Sequence, residues 1–225
     1  MTRISILGGT GAMGGALALR FAAAGHEVWI GSRVAEKGRA FAEDLRAAHP
    51  GLRVAGDDLA GAAAAGEIWF LTVPYAAHAE TLSQVRDAAA GRIVVDASAP
   101  LRPGKLGTAQ MPPAGSVARE TQLALGPEAR VVSALQTISA SKLARGQAVD
   151  CDVLVTSDDA EAATLVCALL SGLGLRSWHV GPLANAVAAE AMTSVLIQIN
   201  RRYRRAGAGL RITGEARDAP LSIGS

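Results

Sequence analysis

Apolar residues in the first half of the chain come in short blocks whose spacing alternates between two periods. Residues 3–7, 27–30, 67–73 and 92–96 read as β-strands, with 52–55 as a further short one. Between them, 13–24, 35–48 and 76–90 carry the wider apolar spacing of helices. Gly25 follows the first helix where a left-handed C-terminal residue is expected, and Pro50 stops the second. Such alternation predicts a parallel sheet with helices on both faces. From 98 to 113 prolines and glycines mark a surface loop. Beyond it come a helix near 116–125, a strand at 130–135, a polar stretch at 136–146, a strand at 152–156, a helix at 160–173, a strand at 176–180 and one long helix over 182–205. The expected fold class is α/β: a Rossmann-type doubly wound, mostly parallel sheet over 1–146, a smaller C-terminal α/β part over 147–214, and a loose tail at 215–225.

Composition narrows the setting. Hydrophobic residues make up 50% of the chain, enough to fill a core at this length. The formal net charge is +2, and outside Arg201, Arg202, Arg204 and Arg205 there is no basic run, so no nucleic-acid partner is expected. The arginines suit a helix C-terminus, where cations meet the negative end of the dipole. No apolar stretch reaches the ~20 residues of a membrane span, and no signal peptide is expected before the first strand. The two cysteines, Cys151 and Cys167, read as buried thiols of a reducing cytoplasm rather than as a disulfide framework.

The sharpest motif opens the chain. Gly9-Thr10-Gly11-Ala12-Met13-Gly14 fits G-x-G-x-x-G, follows a strand and starts a helix. In this fingerprint Gly9 makes the tight turn, Gly11 lets the backbone approach a pyrophosphate, and Gly14 lets the helix pack on the sheet. The free amides at the helix start then meet the phosphates. The second strand ends in Gly31-Ser32-Arg33, with Lys37 one turn later. NAD sites carry a carboxylate there for the ribose 2′-hydroxyl. A hydroxyl, a guanidinium and an ammonium would instead hold a 2′-phosphate, so the expected cofactor is NADP(H). Thr72-Val73-Pro74 ends another strand on the carboxyl edge, where ligands of open α/β sheets lie, and is expected near a ribose of the nucleotide.

No acid–base or nucleophilic constellation is visible. His26, His49, His78 and His179 are scattered, no cluster has metal-ligand spacing, and no G-x-S-x-G elbow occurs. His78, just after Pro74, could face the cleft, although a lone histidine is more often structural. Residues 182–200 contain no lysine, which removes the proton donor used by related hydroxyacid dehydrogenases. Hydride transfer between two cofactors requires no protein nucleophile, only two rings held at near-contact. Reduction of an imine, a small carbonyl compound or a flavin, and a non-catalytic NADPH sensor, remain open on the same residues.

Several segments together resemble the NADPH-dependent coenzyme F420 reductases (8-hydroxy-5-deazaflavin:NADP oxidoreductases). They are Leu7-Gly8-Gly9-Thr10-Gly11 with Gly14, Gly31-Ser32-Arg33 with Lys37, Leu71 to Pro74, Val131 to Ile138, Gly181 to Ala186, and Gly209 to Gly214. The resemblance implies that Gly9, Thr10, Gly11, Ala12, Met13, Ser32, Arg33 and Lys37 hold NADP. It further implies that Ser133 to Ile138 lines the deazaflavin site, with Gln136 and Ile138 close to the ring, and that the chain forms a homodimer. The archaeal-type pattern has histidine where this chain has Gln136, whose amide is expected to reach a ring carbonyl but carries no titrating proton. Arg102, Lys105, Lys142 and Arg145 are candidate partners for the phosphate and glutamate tail of F420.

Overall fold

The computed structural model describes residues 1–102, 107–145 and 149–214. The tail at 215–225 and Lys105 lie outside them. The strands are β1 (Arg3–Leu7), β2 (Glu27–Ser32), β3 (Val54–Asp58), β4 (Ile68–Leu71), β5 (Ile93–Asp96), β6 (Arg130–Ser133), β7 (Asp152–Ser157) and β8 (Arg176–His179). The helices are α1 (Ala12–Ala23), α2 (Ala35–Ala48), α3 (Leu59–Ala65), α4 (Tyr75–Val85), α5 (Val117–Leu125), α6 (Ala140–Ala144), α7 (Ala160–Gly172) and α8 (Ala186–Arg202).

The strands form one sheet in the order β3-β2-β1-β4-β5-β6-β7-β8. β1 to β6 are parallel, and β7 joins β6 antiparallel, pairing Val132 with Ser157 and Ser133 with Thr156. This is the doubly wound architecture expected. The expected boundary at 146 falls among residues that are not described, and the strands on either side of it belong to the same sheet.

Every residue of β4 and β5 is buried, which explains their unbroken apolar sequence: a central parallel strand is covered on both faces. On one face Ile4, Ile6, Ile30, Phe70 and Val95 pack against α1, α2, α6 and α7. On the other Leu7, Trp69, Leu71 and Val94 pack against α3, α4 and α5, with Leu183 just before α8 and Ala186 at its start.

Three departures from the sequence reading have local causes. The strand expected at 52–55 runs over Val54–Asp58, and α3 follows it at once, capped by Asp58, whose carboxylate accepts from Gly61 N at 2.7 Å. Its sequence, Leu-Ala-Gly-Ala-Ala-Ala-Ala, has almost no amphipathic contrast from which to read a helix. The polar stretch after β6 contains the short helix α6, and the helix expected from 182 begins with a 3-10 turn at Leu183–Asn185 before α8.

α2 crosses β3 with no room for a side chain. A Cβ on Gly56 would stand 2.0 Å from the carbonyl oxygen of Gly38. Gly56→Ala is therefore expected to destabilise the fold by about 1–3 kcal/mol or more in chemical denaturation, since two backbones must separate. A wild-type midpoint would show that the crossing is looser than described.

Candidate functional site

The sheet order reverses between β1 and β4, and the crevice outside their carboxyl ends is the expected ligand site of such a sheet. A cleft of about 470 Å³ opens there, lined by Gly8, Thr10, Gly11, Ser32, Arg33, Val34, Lys37, Leu59, Thr72, Val73, Pro74, Ala77 and Thr81. Eight of the expected nucleotide-binding residues thus meet in one cavity: Thr10, Gly11, Ser32, Arg33, Lys37, Thr72, Val73 and Pro74.

The glycine roles are distributed differently from the expectation. The left-handed residue of the turn is Gly8 (φ +88°), not Gly9. A Cβ on Gly8 would also lie 2.7 Å from Val73 Cγ1. Gly9 is needed for a different reason: its Cβ would meet Ile6 O and Ile30 Cγ2, each at 2.9 Å. Gly14 lets α1 settle on the turn, since a Cβ there would be 2.6 Å from Gly8 O and 2.7 Å from Thr72 Oγ1. Ala12 and Met13 are absent from the cleft lining and stand at the head of α1. Their amides precede the first bond of the helix, from Gly15 N to Gly11 O at 2.8 Å, so they lack intrahelical partners.

Arg33 and Lys37 are exposed at the mouth of the cleft, and among the described residues neither enters an ion pair. The lining contains these two cations and no carboxylate. This donor set fits a nucleotide with a 2′-phosphate: a backbone cradle for the pyrophosphate, and a hydroxyl with two cations at the far end.

Ser133, Gln136 and Ile138 do not line this cleft. Ser133 ends β6 and is 1% exposed, and Ile138 belongs to the apolar core. Between them Leu135 holds φ +78°, a strained value for a side chain branched at Cγ and buried. The turn folds Gln136 back, so that its amide nitrogen donates to Asp96 O at 2.8 Å and to Ser133 Oγ at 2.9 Å. A carbonyl can only accept, which fixes the atom facing Asp96 as Nε2. The expected bond from this amide to a ring carbonyl is thus already taken by the protein, and Oε1 is left buried without a partner.

Arg102 N donates to Thr108 O in the loop after β5. Lys142 and Arg145 belong to α6 and its C-cap, on the α1 side of the sheet, and Lys142 lies against Gly207. The structure does not gather these cations around the cleft. Cys151 and Cys167 are free thiols, which burial pushes up in pKa.

Sequence reasoning missed a buried polar network behind the cleft. His78 is not in the wall of the cleft: its Nε2 contacts Asp96 Oδ2 at 2.8 Å. Thr121 Oγ1 donates to the same oxygen at 2.5 Å, and Ser98 N to Oδ1 at 2.8 Å. Burial alone would lower the His78 pKa, but the hydrogen bond and charge of Asp96, with Glu120 and Glu190 behind them, raise it. Burial would raise Asp96, and the same pairing lowers it. Both shifts have the same cause, the short contact between the two side chains, which favours the charged form of each against burial. No spacing signal marks residues drawn from α4, β5 and α5.

The second buried carboxyl is Glu190 of α8, fully buried, which accepts from Val117 N at 2.7 Å and Ala118 N at 3.0 Å at the head of α5. Burial pushes its pKa up to about 7, against the two amide bonds that favour the anion. Tyr75, whose hydroxyl donates to Glu120 at 2.9 Å, is raised to about 12 by burial and that carboxylate.

The first 100 residues match a family model over residues 3–100, that of the coenzyme F420-dependent NADP oxidoreductases. The chain is 37% identical to the F420-dependent NADP reductase of Methanothermobacter thermautotrophicus, with 94% of each chain covered. It is 36% identical to the reductase of that name from Methanocaldococcus jannaschii, over 94% of this chain and 98% of that one. A crystal structure from Arthrobacter sp. FB24, provisionally named an F420-dependent NADP reductase, superposes with a TM-score of 0.84 at 29% identity, covering 95% of this chain and 100% of that one. A Streptomyces aurantiacus imine reductase shares the fold, at 21% identity and a TM-score of 0.59.

Because Glu190 has its folded pKa raised from 4.5 to about 7, the folded state holds its proton more tightly than the unfolded chain. Its contribution to stability is complete below 4.5 and is lost as pH rises through about 7. Glu190→Gln is expected to flatten the fall of melting temperature across that window; an unaltered slope would show that Glu190 does not titrate there.

Proposed function

The chain belongs to the family of F420-dependent NADP reductases, and we propose on that premise that it transfers a hydride between NADP(H) and the deazaflavin coenzyme F420. The observation that carries the reading is the cleft itself. A glycine cradle at the β1–β4 crevice leads to Ser32, Arg33 and Lys37, with no carboxylate in the wall.

In this reading the Ala12 and Met13 amides and the positive end of α1 hold the pyrophosphate. Arg33 and Lys37 hold the 2′-phosphate, and Thr72, Val73 and Pro74 flank the nicotinamide side. The deazaflavin lies over the ends of β5 and β6, beside the turn that carries Ser133, Gln136 and Ile138. The bound coenzymes supply the redox chemistry, with the hydride passing between nicotinamide C4 and deazaflavin C5. The protein contributes binding, orientation and exclusion of water rather than a nucleophile.

A second copy of the chain is the proposed macromolecular partner. Val187, Val195, Ile199 and Tyr203 form an exposed apolar stripe along α8 and its C-cap, a surface suited to self-association. Among the described residues no helix is long and apolar enough to cross a membrane. The free thiols and the absence of a basic stripe beyond the end of α8 support a cytoplasmic enzyme with no nucleic-acid partner.

Purified protein mixed with F420 is expected to bleach the visible absorbance of the oxidised deazaflavin rapidly with NADPH and slowly with NADH. NADPH binding without bleaching would reject the deazaflavin and turn attention to imines, carbonyls and flavins. Arg33→Ala is expected to raise KM for NADPH about 10-fold or more, a loss of roughly 1.4–3 kcal/mol of charge-assisted bonding, and to leave KM for NADH unchanged. Equal change with both nucleotides would remove Arg33 from the 2′-phosphate.

A further inference from the structure

The Asp96–His78 pair lies outside the nucleotide cleft, and neither residue is among its walls. Asp96 is fully buried and His78 is 2% exposed. A buried ion pair contributes little net stability, because desolvation of the two charges offsets their attraction. What distinguishes this pair is where its bonds lead.

Asp96 is the last residue of β5. Its carboxylate is fastened to α4 by His78, to α5 by Thr121 and to its own following loop by the Ser98 amide. Two bonds then run from this anchored point toward the cleft. Ser98 Oγ donates to Val73 O at 3.2 Å, which ties the anchor to the cleft wall at the end of β4. The Asp96 carbonyl accepts from Gln136 Nε2 at 2.8 Å, which ties it to the strained turn at the end of β6. Leu135 at φ +78° persists only because its surroundings over-determine it, and the Asp96 carbonyl supplies part of that constraint, since it accepts from Ala134 N at 3.1 Å as well as from Gln136. The side chain of Asp96 thus fixes one main-chain position, and that position holds both flanks of the carboxyl edge.

We infer that the Asp96–His78 pair, completed by Thr121, positions the two sides of the hydride-transfer site relative to each other. Asp96 and His78 act through Val73 and Gln136 and touch neither coenzyme. The inference rests on the functional reading above, because it assigns the Val73 side to the nicotinamide and the Gln136 side to the deazaflavin. Hydride transfer is sensitive to such spacing: donor and acceptor carbons must meet at near-contact, and a displacement on the order of 1 Å costs about 100-fold in rate.

The test is single-turnover mixing of the enzyme–NADPH complex with F420, alongside equilibrium binding of each coenzyme by its own fluorescence and thermal melting. Asp96→Asn keeps the size but removes the charge and turns one of the two accepting oxygens into a donor, so it can satisfy either His78 with Thr121 or the Ser98 amide. It is expected to slow hydride transfer about 10-fold or more, while the Kd values for NADPH and F420 stay within about 3-fold of wild type. Thr121→Val, which removes the hydroxyl's contacts with Asp96 Oδ2 and His78 Nε2 and leaves the Asp96–His78 contact itself, is expected to act in the same direction with a smaller effect. It covers the case in which Asp96→Asn does not fold. Wild-type transfer rates in variants that melt at lower temperature would show the network to be purely structural and overturn the inference. Loss of coenzyme affinity without a change in the transfer step would overturn it as well. Should wild type bind NADPH but fail to reduce F420, the functional reading fails separately. The emission of NADPH bound to wild type and to Asp96→Asn then decides the matter: altered emission supports control of the Val73 wall, and identical emission rejects it.

Discussion

The head of α1 can lie over the carboxyl ends of β1 and β4 only because nothing larger than a hydrogen projects from Gly8, Gly9 and Gly14. A Cβ at any of the three would fall within 3 Å of another residue's backbone or side chain. Given that contact, the helix points its unpartnered amides across the crevice where the strand order reverses, and the cleft follows. The contact also sets the position of β4, because Thr72 Oγ1 donates to Leu7 O at 3.1 Å and its backbone amide to the same carbonyl at 2.9 Å. The nucleotide wall at Thr72-Val73-Pro74 is thereby in register with the phosphate cradle, and α4, whose N-cap is Pro74, is aimed from the same point.

Two regions of opposite electrostatic character result. At the end of β2 the cleft is cationic and wet, with Arg33 and Lys37 exposed and able to meet a phosphate without a large desolvation cost. Behind β4 and β5 the protein buries three acidic groups around one imidazole: Asp96, Glu190 and, less deeply, Glu120. There each acidic group takes its partners from the protein rather than from water. Asp96 takes three donors, while Glu190 takes the two leading amides of α5 and draws α8 onto that helix. The first region selects a ligand by its charge, and the second determines the shape of the scaffold around it.

This division also explains what could be read from the sequence. The fingerprint, the end of β2 and the strand-ending Thr72-Val73-Pro74 are local features, each written in a few consecutive residues, and eight of the residues they nominate meet in one cleft. The fingerprint gave the tight turn to Gly9, and the residue of that turn with a positive φ is Gly8, because a G-x-G-x-x-G frame says nothing about the glycine before it. α3 was hidden by its uniform alanine content. The network of His78, Asp96, Thr121 and Glu190 was illegible for a different reason: its members come from four elements, and only the fold brings them together. His78 looked like a cleft residue because it follows Pro74 closely, yet its ring turns to Asp96 and Thr121, while Ala77 and Thr81 of the same helix line the cleft.

Gln136 shows how far chemistry can be inferred from residue type alone. As a free side chain, glutamine offers both a donor and an acceptor, and the donor was the natural choice for a ring carbonyl. The structure commits both amide hydrogens, one to a main-chain oxygen that can do nothing but accept, the other to Ser133. What remains is Oε1, an acceptor buried without a partner at the end of a strained turn. A histidine at this position could exchange donor for acceptor by changing tautomer or taking up a proton; the amide held by Asp96 cannot. The polarity of that point in the site is therefore decided by a backbone carbonyl one strand away, and through it by the buried ion pair that keeps the carbonyl in place.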